Sequence, residues 1–515
     1  MIFLTGFMGS GKTTVGLELK KLLNRPFVDM DNMIRESSGR TIPHIFEYAG
    51  EESFRVMERK ALAEITLKTE PHVVATGGAL PADPLNRTLM KSCGVVIYLK
   101  TPFEELRHRI GADHNRPLWN ADAHSLFLAR EASYEEADIT VDTSGKIPRA
   151  VAEEIQARLR KWREPVPVIL SDRSYPVYIG RDIFKDFQEL LSRHIEPEGI
   201  FALVDENVYR LHPERIENAL KGCASCIMTV PSGESSKSYD FLTKVLHEMF
   251  SAGVNRQWLC LGIGGGVTGD LAGFAASIFM RGIPIAHVGT TLLAQVDSSI
   301  GGKTGINNEF GKNLVGTFNQ PLLVLSDVNF LTTLEDVQIK SALAEVIKYG
   351  IIMDPALFEY IEKSPERDFE EIVSMCSKDK ASVVSKDERE GGLRRILNFG
   401  HTLGHAIEQF TDFSIYHGQG VAAGILFASW LSLDIGILNR DGFERIRAVI
   451  EREGIIPPGI RLPKGDDLKG SILMDKKGTK QGIHFVLTPR IGDVTVKKLT
   501  DSEVLDSYTR FLDGF

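Results

Sequence analysis

Residues 1–23 read "MIFLTGFMGSGKTTVGLELKKLL", and this stretch decides the fold of the first part of the chain. The apolar "MIFLT" predicts a short strand, and "TTVGLELKKLL" predicts a helix directly after a glycine-rich loop. Gly6, Gly11, Lys12 and Thr13 meet the spacing G-x-x-x-x-G-K-[ST]. Glycines let backbone N–H groups face a phosphate, and the helix N-terminus adds a favourable dipole. The stretch predicts a nucleotide-binding loop in which Lys12 contacts the β/γ oxygens and Thr13 binds Mg²⁺.

Length and composition describe a globular protein of several domains. The chain has 515 residues, which at about 150 residues per domain predicts three domains. The net charge of −9 gives no reason to expect nucleic acid binding. Five cysteines argue for a reducing compartment, and we interpret Cys223 and Cys226 as buried or incidental thiols rather than a metal or redox pair. No apolar run is long enough to span a membrane, so we expect a cytoplasmic protein.

The pattern along the chain predicts four segments. Residues 1–162 alternate short apolar runs with helical patterns, which predicts a parallel α/β domain. The proline-rich residues 163–168 form a predicted linker. Residues 169–334 return to α/β alternation, and residues 335–515 are mostly helical in pattern. The last two segments predict two subdomains with a cleft between them.

Further motifs in the first segment indicate which kind of molecule accepts the phosphate. They are "FVDMD", "FRVMERKAL", "VVATGGAL", "NRPLW" and "AREASYEEAD". Together with the phosphate loop they occur in the order found in shikimate kinases, so residues 1–160 resemble that family. The resemblance implies a P-loop kinase fold and transfer of phosphate from ATP to shikimate.

The same resemblance implies roles for individual residues. Arg55 and Arg130 would clamp the shikimate carboxylate, beside Gly78. Asp31 would accept from a ring hydroxyl and act as a catalytic group with Lys12. Arg116 would be a catalytic residue on a lid that closes over ATP, where it supplies positive charge to the transferring phosphoryl group, and Asp29 would act near Mg²⁺ without binding it directly. The implied ATP-binding set is Gly9, Ser10, Gly11, Lys12, Thr13, Thr14, Arg116 and, as a weaker candidate, Lys146.

One position departs from the shikimate kinase pattern. Those enzymes usually carry three glycines after the strand, whereas this chain has Gly77, Gly78 and Ala79. If the third position requires a positive φ, alanine there costs stability or shifts the loop. Reduced kinase activity is therefore an open possibility, although we expect an active enzyme.

The third segment carries a dinucleotide-binding pattern. Gly264, Gly266 and Gly269 follow an apolar strand with the spacing G-x-G-x-x-G. The acidic residue expected about 20 residues later is missing, so either this is not a standard Rossmann unit or the ribose is held elsewhere. Asp205 and Asn207, at the end of an earlier predicted strand, are candidate replacements.

Three histidines in the fourth segment raise the question of a metal site. "NFGHTLGHAIE", residues 398–408, places His401 and His405 on one face of a predicted helix. Both could bind one metal, one could serve another purpose, or both could be core residues. Glu345 and His417 complete a set of mixed N and O ligands that suits Zn²⁺ with an open coordination position.

From about residue 166 to the end, the chain resembles 3-dehydroquinate synthases. The motifs are "GGGVTGDLAGF", "TTLLAQVDSSIGGKTGIN", "GKNLVG", "AEVIKYG", "EREGGLRRILNFGHTLGHAIE" and "HGQGVAAG". The resemblance implies Zn²⁺, or Co²⁺, on Glu345, His401 and His417. It implies NAD⁺ on Asp205, Asn207, Glu234, Lys237, Gly265, Gly266, Val267, Asp270, Thr290, Thr291, Lys312, Phe330 and Thr333.

The resemblance also implies the substrate, a seven-carbon keto sugar acid phosphate, and its site. Its contacts would be Arg281, Asp297, Lys303, Asn313, Lys348, Lys380, Arg394, Asn398 and Lys476, with Lys477 as an alternative to the last. Glu390 and His405 would handle protons, with Lys348 as a third catalytic group. The implied reaction eliminates phosphate and regenerates NAD⁺, so it is a lyase reaction with no net redox change.

The sequence thus predicts an α/β P-loop kinase domain followed by a synthase-like unit with an α/β NAD-binding subdomain and a helical metal-binding subdomain. The predicted function is bifunctional: ATP- and Mg²⁺-dependent phosphorylation of shikimate, and cyclisation of 3-deoxy-D-arabino-heptulosonate 7-phosphate to 3-dehydroquinate. The predicted partners are these small molecules and a second copy of the chain, through the synthase part. The alternative is a related sugar-phosphate cyclase or polyol dehydrogenase that carries a degenerate, regulatory P-loop module.

Overall fold

A computed structural model describes residues 1–68, 70–111, 118–119, 121–160, 162–364, 366–463 and 483–514. The chain divides into two compact units. Unit 1 comprises Met1–Tyr178 with Glu189–Glu196, and unit 2 comprises Ile179–Gln188 with Pro197–Phe515.

Unit 1 is built on a parallel five-stranded sheet. The strand order is β2-β3-β1-β4-β5, so β1 pairs with β3 on one side and with β4 on the other. The central strands are buried on both faces, as expected for a parallel sheet covered by helices. The strands are β1 (Ile2–Thr5), β2 (Phe27–Asp29), β3 (Val73–Ala75), β4 (Val95–Lys100) and β5 (Ile139–Asp142).

Seven helices accompany this sheet: α1 (Lys12–Leu23), α2 (Met30–Ser38), α3 (Ile42–Thr66), α4 (Pro84–Cys93), α5 (Phe103–Ile110), α6 (Ala123–Glu135) and α7 (Pro148–Leu159). Helix α3 is kinked at Gly50, whose φ is 79°. The loops that follow β1, β2 and β3 leave the same edge of the sheet, because parallel strands end on one side. This edge carries the glycine-rich loop, Asp29 and the double glycine.

Between the two predicted enzymes lie β6 (Val166–Val168), β7 (Tyr175–Gly180) and the short helix α8 (Phe187–Ser192). β6 and β7 pair antiparallel, with Val166 opposite Val177. The division between the two units falls within β7.

Unit 2 contains a second parallel sheet, in which five strands run in the order β14-β11-β10-β8-β9. Their bounds are β8 (Ile200–Asp205), β9 (Ser225–Val230), β10 (Leu259–Gly264), β11 (Ile285–Gly289) and β14 (Leu323–Asp327). Two antiparallel hairpins stand apart: β12 (Lys303–Asn308) with β13 (Gly311–Phe318), and β15 (Ile483–Arg490) with β16 (Asp493–Leu499).

Among the described residues, the helices of unit 2 fall into two groups. Four belong to the α/β part: α9 (Glu206–Leu211), α10 (Pro213–Leu220), α11 (Tyr239–Ser251) and α12 (Gly266–Ile278). The other seven follow residue 335 and share one large apolar core: α13 (Asp336–Ile352), α14 (Pro355–Lys363), α15 (Phe369–Lys386), α16 (His401–Phe410), α17 (His417–Asp434), α18 (Arg440–Glu453) and α19 (Asp501–Gly514).

The predicted α/β fold class is confirmed, with two local differences. Strands β15 and β16 lie within a region whose pattern looked helical. They pair antiparallel around a turn at Gly492, whose φ is 88°, and Phe485, Val486 and Leu487 of the first strand are buried in the core of the helical part. The pattern of "FVDMD" predicts a strand with Asp29 and Asp31 at its end, but Asp31 lies in the first turn of α2, which Asp29 caps.

Candidate active sites

The glycine-rich loop of unit 1 has the geometry of a phosphate cradle. Gly9 and Gly11 have φ values of 83° and 93°, a region that side chains other than glycine rarely adopt. The Lys12 ammonium donates to the carbonyl oxygens of Gly6, at 2.7 Å, and Phe7, at 3.1 Å. The lysine is thus folded over the loop, where phosphate oxygens would replace these carbonyl acceptors.

Oxygen ligands suited to Mg²⁺ lie beside this loop. The Thr13 hydroxyl donates to Asp29 Oδ2 at 2.6 Å. The other oxygen, Asp29 Oδ1, accepts from the backbone N–H groups of Asp31 and Asn32 and so holds the carboxylate in place. A hydroxyl and a fixed carboxylate next to bound phosphates are the ligands and outer partners that Mg²⁺ prefers.

A cavity of about 490 Å³ opens over the loop. Nine predicted residues line it: Gly9, Ser10, Gly11, Lys12, Thr13, Thr14, Asp29, Asp31 and Lys146. Arg109 also lines it, although the sequence analysis did not select this residue. Arg116, the predicted lid residue, lies outside the described residues.

A second cavity, of about 320 Å³, contains all four residues predicted to bind shikimate: Asp31, Arg55, Gly78 and Arg130. Asp29 and Asp31 line both cavities, so the two spaces meet at these carboxylates. Arg55 is held on its own helix by ion pairs with Glu51 and the buried Glu58. Burial raises the pKa of Glu58, although the charge of Arg55 opposes this.

The third position of the glycine run, Ala79, does not have the positive φ that would make alanine unfavourable. Ala79 has φ of −104° and ψ of −8°, which any residue adopts without strain. Gly78 is held by its carbonyl oxygen, which accepts from the hydroxyl of the buried Tyr134. The alanine therefore does not distort this loop.

In unit 2, a cavity of about 590 Å³ lies at the carboxyl ends of the parallel strands. Helix α12 begins at Gly266 directly after β10, so its N-terminus faces this space, as in dinucleotide-binding units. Predicted NAD residues that line the cavity are Asp205, Asn207, Glu234, Gly265, Gly266, Val267, Thr290, Thr291, Phe330 and Thr333. Asp205 and Asn207 thus share the cavity with the glycines, as their proposed replacement of the missing acidic residue requires.

Two other predicted NAD residues, Lys237 and Asp270, form a buried ion pair. The Lys237 ammonium lies 2.7 Å from Asp270 Oδ2 and also donates to the side-chain oxygen of Asn313, a predicted substrate residue. Lys237 is also 3.6 Å from Glu234. The bond between Lys237 and Asn313 thus connects a predicted NAD residue with a predicted substrate residue.

Glu345, His401 and His417 converge on one point. Glu345 Oε1 lies 3.3 Å from His401 Nε2 and 3.5 Å from His417 Nε2. Neighbouring ligands of a tetrahedral zinc ion with bonds of about 2.0–2.1 Å lie roughly 3.3 Å apart, so these atoms fit a zinc-sized ion. The predicted zinc ligands therefore come from α13, α16 and α17, and His401 and His417 lie 56 and 72 residues after Glu345.

His405 does not belong to this triangle. Within the part of the chain that the structure describes, the ligand atoms of Glu345, His401 and His417 form one close group without His405, and His405 is exposed. Among the described residues, its ligand atom does form a second close group with Glu408 and His417. The i, i+4 pair of the sequence is thus divided, with His401 directed at Glu345 and His405 beside it.

A buried charge network lies next to the metal triangle. Asp297 stands in a π-helical turn, Ala294–Ser298, a distortion frequent at functional sites. Its Oδ1 lies 2.8 Å from the Lys380 ammonium and accepts from Tyr349 at 2.6 Å. Burial alone would raise the pKa of Asp297, but Lys380 and Lys348 lower it to about 2. Lys348 pairs in turn with Glu345.

Another group of predicted substrate residues lies around Glu390. This carboxylate pairs with Lys303 and accepts from Asn398 at 2.8 Å. Glu390 and Asn313 have φ values of 59° and 57°, and non-glycine residues are found there mainly where surrounding structure enforces it. Arg394, which is buried, donates to the carbonyl oxygen of Gly301 at 3.1 Å.

In the described part of the chain, one predicted substrate residue is not brought to these clusters. Arg281 is exposed, has φ of 69° and, among the described residues, does not line the 590 Å³ cavity. Lys476 and its alternative Lys477 lie outside the described residues.

Sequence analysis missed three residues that the structure places at the sites: Arg109, Tyr349 and Glu408. Glu408 lies inside the quoted "NFGHTLGHAIE", one helical turn after His405, so its spacing was a usable signal. Tyr349 adjoins Lys348 in sequence, but nothing local indicates its bond to Asp297. Arg109 belongs to a charged helix of ordinary surface pattern.

Comparison with known proteins follows the same division of the chain. Family models for shikimate kinase, for the N-terminal part of 3-dehydroquinate synthase and for its C-terminal part match residues 8–160, 227–341 and 342–478. The 3-dehydroquinate synthase of Thermoanaerobacter sp. (strain X514) is 41% identical over 350 residues, which are 66% of this chain and 98% of that protein.

Two solved structures share the fold of the second part. One is 2-epi-5-epi-valiolone synthase from Streptomyces hygroscopicus subsp. jinggangensis 5008 with NAD⁺ and Zn²⁺ bound, with a TM-score of 0.61 and 24% identity, covering 69% of this chain and 100% of that one. The other is 2-deoxy-scyllo-inosose synthase with carbaglucose-6-phosphate, NAD⁺ and Co²⁺, with a TM-score of 0.59 and 22% identity, covering 67% and 99%.

Fold, sites and comparisons define an enzyme that joins a P-loop phosphotransferase to a lyase. The chain belongs to the 3-dehydroquinate synthase family, and its first part is a shikimate kinase domain. Among the described residues, we find no helix whose length and apolar content would allow it to cross a bilayer.

Proposed function

We propose that the chain phosphorylates shikimate with ATP in unit 1 and converts 3-deoxy-D-arabino-heptulosonate 7-phosphate to 3-dehydroquinate in unit 2. For the kinase, the observation that carries this proposal is that Asp31 lines both cavities of unit 1. For the synthase, it is that His417 belongs to the metal triangle and also lines the dinucleotide cavity.

In the kinase step, shikimate binds in the 320 Å³ cavity with its carboxylate between Arg55 and Arg130. Asp31 then orients the ring hydroxyl and accepts its proton as the oxygen attacks the γ-phosphorus of ATP. The bond from that phosphorus to the bridging oxygen of ADP breaks. Lys12 leaves the Gly6 carbonyl to neutralise charge on the transferred group, and Thr13 would bind Mg²⁺ with Asp29 next to the ion. We assign Arg116 to the lid and Lys146 to the nucleotide base.

In the synthase, Glu345, His401 and His417 would hold Zn²⁺ or Co²⁺, and the residues around α12 would hold NAD⁺. When bound, the metal lowers the pKa of a substrate hydroxyl and NAD⁺ accepts and later returns a hydride. The chain's own residues bind the anionic substrate through Lys303, Lys348, Lys380 and Arg394. Each of these lysines now pairs with a carboxylate, and substrate anions would compete for them.

Proton handling in the synthase is assigned to His405 and Glu390. His405 is exposed beside the metal triangle, so it can contact a substrate that enters from the cavity side. Glu390 is oriented by Lys303 and Asn398. The proposed substrate set is completed by Asp297, Arg281, Asn313, Asn398 and Lys476, and the proposed NAD set by Lys237, Asp270 and Lys312.

Substrate affinity of the synthase should fall in alkaline solution because of Lys380. Burial lowers the pKa of this ammonium to about 8, although Asp297 opposes the shift. The ammonium is protonated below that pH and neutral above it, so an anionic substrate loses one charge partner as pH rises. We expect KM to rise roughly tenfold between pH 7 and pH 9. Lys380→Arg, which keeps its charge, should flatten this rise, and an unchanged wild-type KM would contradict the assignment.

Two assays on the full chain test the proposal. With NAD⁺ and Zn²⁺, the heptulosonate phosphate should release one inorganic phosphate per molecule of 3-dehydroquinate formed. With ATP and Mg²⁺, shikimate should cause ADP formation. If no phosphate is released, the synthase assignment is wrong, and net reduction of NAD⁺ by a polyol would identify a dehydrogenase instead. The sequence favours the synthase, because the 41% identity is to a 3-dehydroquinate synthase.

Three further assignments remain proposals. The boundaries 1–162, 163–168, 169–334 and 335–515 rest on sequence pattern. A homodimer through the synthase part is supported by exposed apolar side chains on the β12–β13 hairpin, Phe310, Leu314 and Phe318. A cytoplasmic location is supported by five cysteines that are all free thiols, which suits a reducing compartment.

A further inference from the structure

Glu408 stands between two groups that belong to different parts of the synthase site. It lies on α16 and is buried, with only 5% of its surface exposed. Its Oε2 is 3.1 Å from His417 Nδ1, and its Oε1 is 3.4 Å from the Lys312 ammonium. One carboxylate thus contacts a proposed metal ligand and a proposed NAD ligand.

The contact with His417 determines what that imidazole can do. A carboxylate oxygen only accepts, so Nδ1 donates a proton to Glu408, and a metal ion would bind through the lone pair of Nε2. Nε2 is the atom that faces Glu345, at 3.5 Å. A carboxylate that binds the far nitrogen of a metal-ligating histidine fixes its ring orientation and raises its basicity. Glu408 is therefore placed to orient His417 toward the ion.

The residues that Glu408 contacts also belong to the proposed NAD site or line its cavity. Lys312 lies on β13, and its ammonium is 4.1 Å from the centroid of the Phe413 ring. His417 has 33% of its side chain exposed and lines the 590 Å³ cavity. A dinucleotide in that cavity would remove water from His417 and would hold Lys312 near Glu408. With water excluded, the bond between Glu408 and His417 strengthens, because competing partners are gone and the local dielectric is lower.

The group His405, Glu408 and His417 could also be regarded as a second ion site, since its ligand atoms lie within 4.8 Å of one another. Such an ion would require His417 Nδ1 to lose its proton and Glu408 to give up its contacts with His417 and Lys312. One ion at Glu345, with Glu408 as an orienting group, preserves all these contacts. The geometry therefore favours orientation over a second ion.

We propose that Glu408 is a positioning residue that couples the two cofactors, so that NAD⁺ binding tightens metal binding at Glu345, His401 and His417. The inference rests on the proposed function, because it takes the metal triangle and the NAD cavity as given. Coupling of this kind is reciprocal, so the metal must tighten NAD⁺ binding by the same factor.

The test measures metal affinity of the full chain by competition with a chromophoric Zn²⁺ chelator, without NAD⁺ and with saturating NAD⁺. Wild type should bind one ion, about tenfold more tightly with NAD⁺, within the usual range of coupling between sites. Glu408→Gln should lose about 10- to 100-fold in metal affinity and lose the effect of NAD⁺. Lys312→Met should keep the NAD⁺-free metal affinity and reduce the coupling, and Lys312→Arg should restore it.

Matched controls come from an exposed ion pair on α14, Lys363 with Glu359 at 2.8 Å. Glu359→Gln and Lys363→Met remove the same charges and should leave both affinities unchanged. If wild type binds both ligands with a coupling factor of one, or if Glu408→Gln retains the coupling, the inference is wrong. Two ions per wild-type chain would also overturn it, in favour of a second site. A wild type that binds neither ligand would instead overturn the proposed function.

Discussion

His401→Ala should abolish metal binding in the synthase site and lower its turnover about 1,000-fold. The substitution removes one of three converging ligands, whose Nε2 lies 3.3 Å from Glu345 Oε1. A bound divalent ion contributes several kcal/mol of charge stabilisation in the transition state, and about 1.4 kcal/mol corresponds to a factor of ten. The measurements are metal content after dialysis and phosphate release from the heptulosonate phosphate.

His405→Ala should also lose turnover, but it should retain its full metal content. His405 is exposed and lies outside the metal triangle, and the loss of a general acid or base costs about 10²- to 10⁴-fold in rate. The two variants differ by one helical turn, so similar disturbance of α16 is expected from both. A difference in metal content between the two variants would therefore reflect their different proposed roles.

A matched control for both is His247→Ala, on the exposed side of α11. It should retain metal and synthase activity, and kinase activity should be unchanged in all three proteins. If His401→Ala keeps one equivalent of zinc, or if His405→Ala loses it, the division of the histidine pair is wrong.

Local spacing was enough to predict the parts of the sites that lie within one loop or one helix. The phosphate loop is an example, because Gly6 to Thr13 carry their own geometry in nine residues or fewer and need no distant partner. The positions of Arg55 and Glu58 were also predictable, because i, i+3 residues share a helix face. The α/β class followed from strand and helix patterns in the same way.

Contacts that depend on tertiary packing could not be obtained from such spacing. Glu345 is 56 residues before His401, and only the family resemblance selected His401 instead of His405 as its partner. The bond between Tyr349 and Asp297 joins a helix to a π-helical turn whose distortion no sequence pattern indicates. The φ of Ala79 was likewise unknown from sequence, so a penalty was considered that the backbone does not impose.

Lys12→Ala should reduce ADP formation in the presence of shikimate by roughly 100- to 1,000-fold, the cost of removing one preorganised charge donor from a transition state. The Lys12 ammonium already lies within the loop, 2.7 Å from the Gly6 carbonyl, so it needs little reorganisation to reach a phosphate oxygen. Synthase activity of the same preparation should be unchanged, which shows that the chain is folded and correctly quantified. Lys20→Ala, on the exposed face of the same helix, is the matched control.

The comparison of wild type with Lys12→Ala also decides whether unit 1 is an enzyme or a nucleotide-binding module. If wild type forms ADP no faster than Lys12→Ala, the module hypothesis is correct and the kinase assignment fails. We expect a clear difference, because the loop after β3 is unstrained at Ala79 and both arginines line the acceptor cavity. Ala79→Gly tests whether alanine at this position limits the kinase rate. Because φ is −104° here, glycine should give no gain in rate. A large gain would mean that the loop requires a positive φ during turnover, and that alanine limits the kinase.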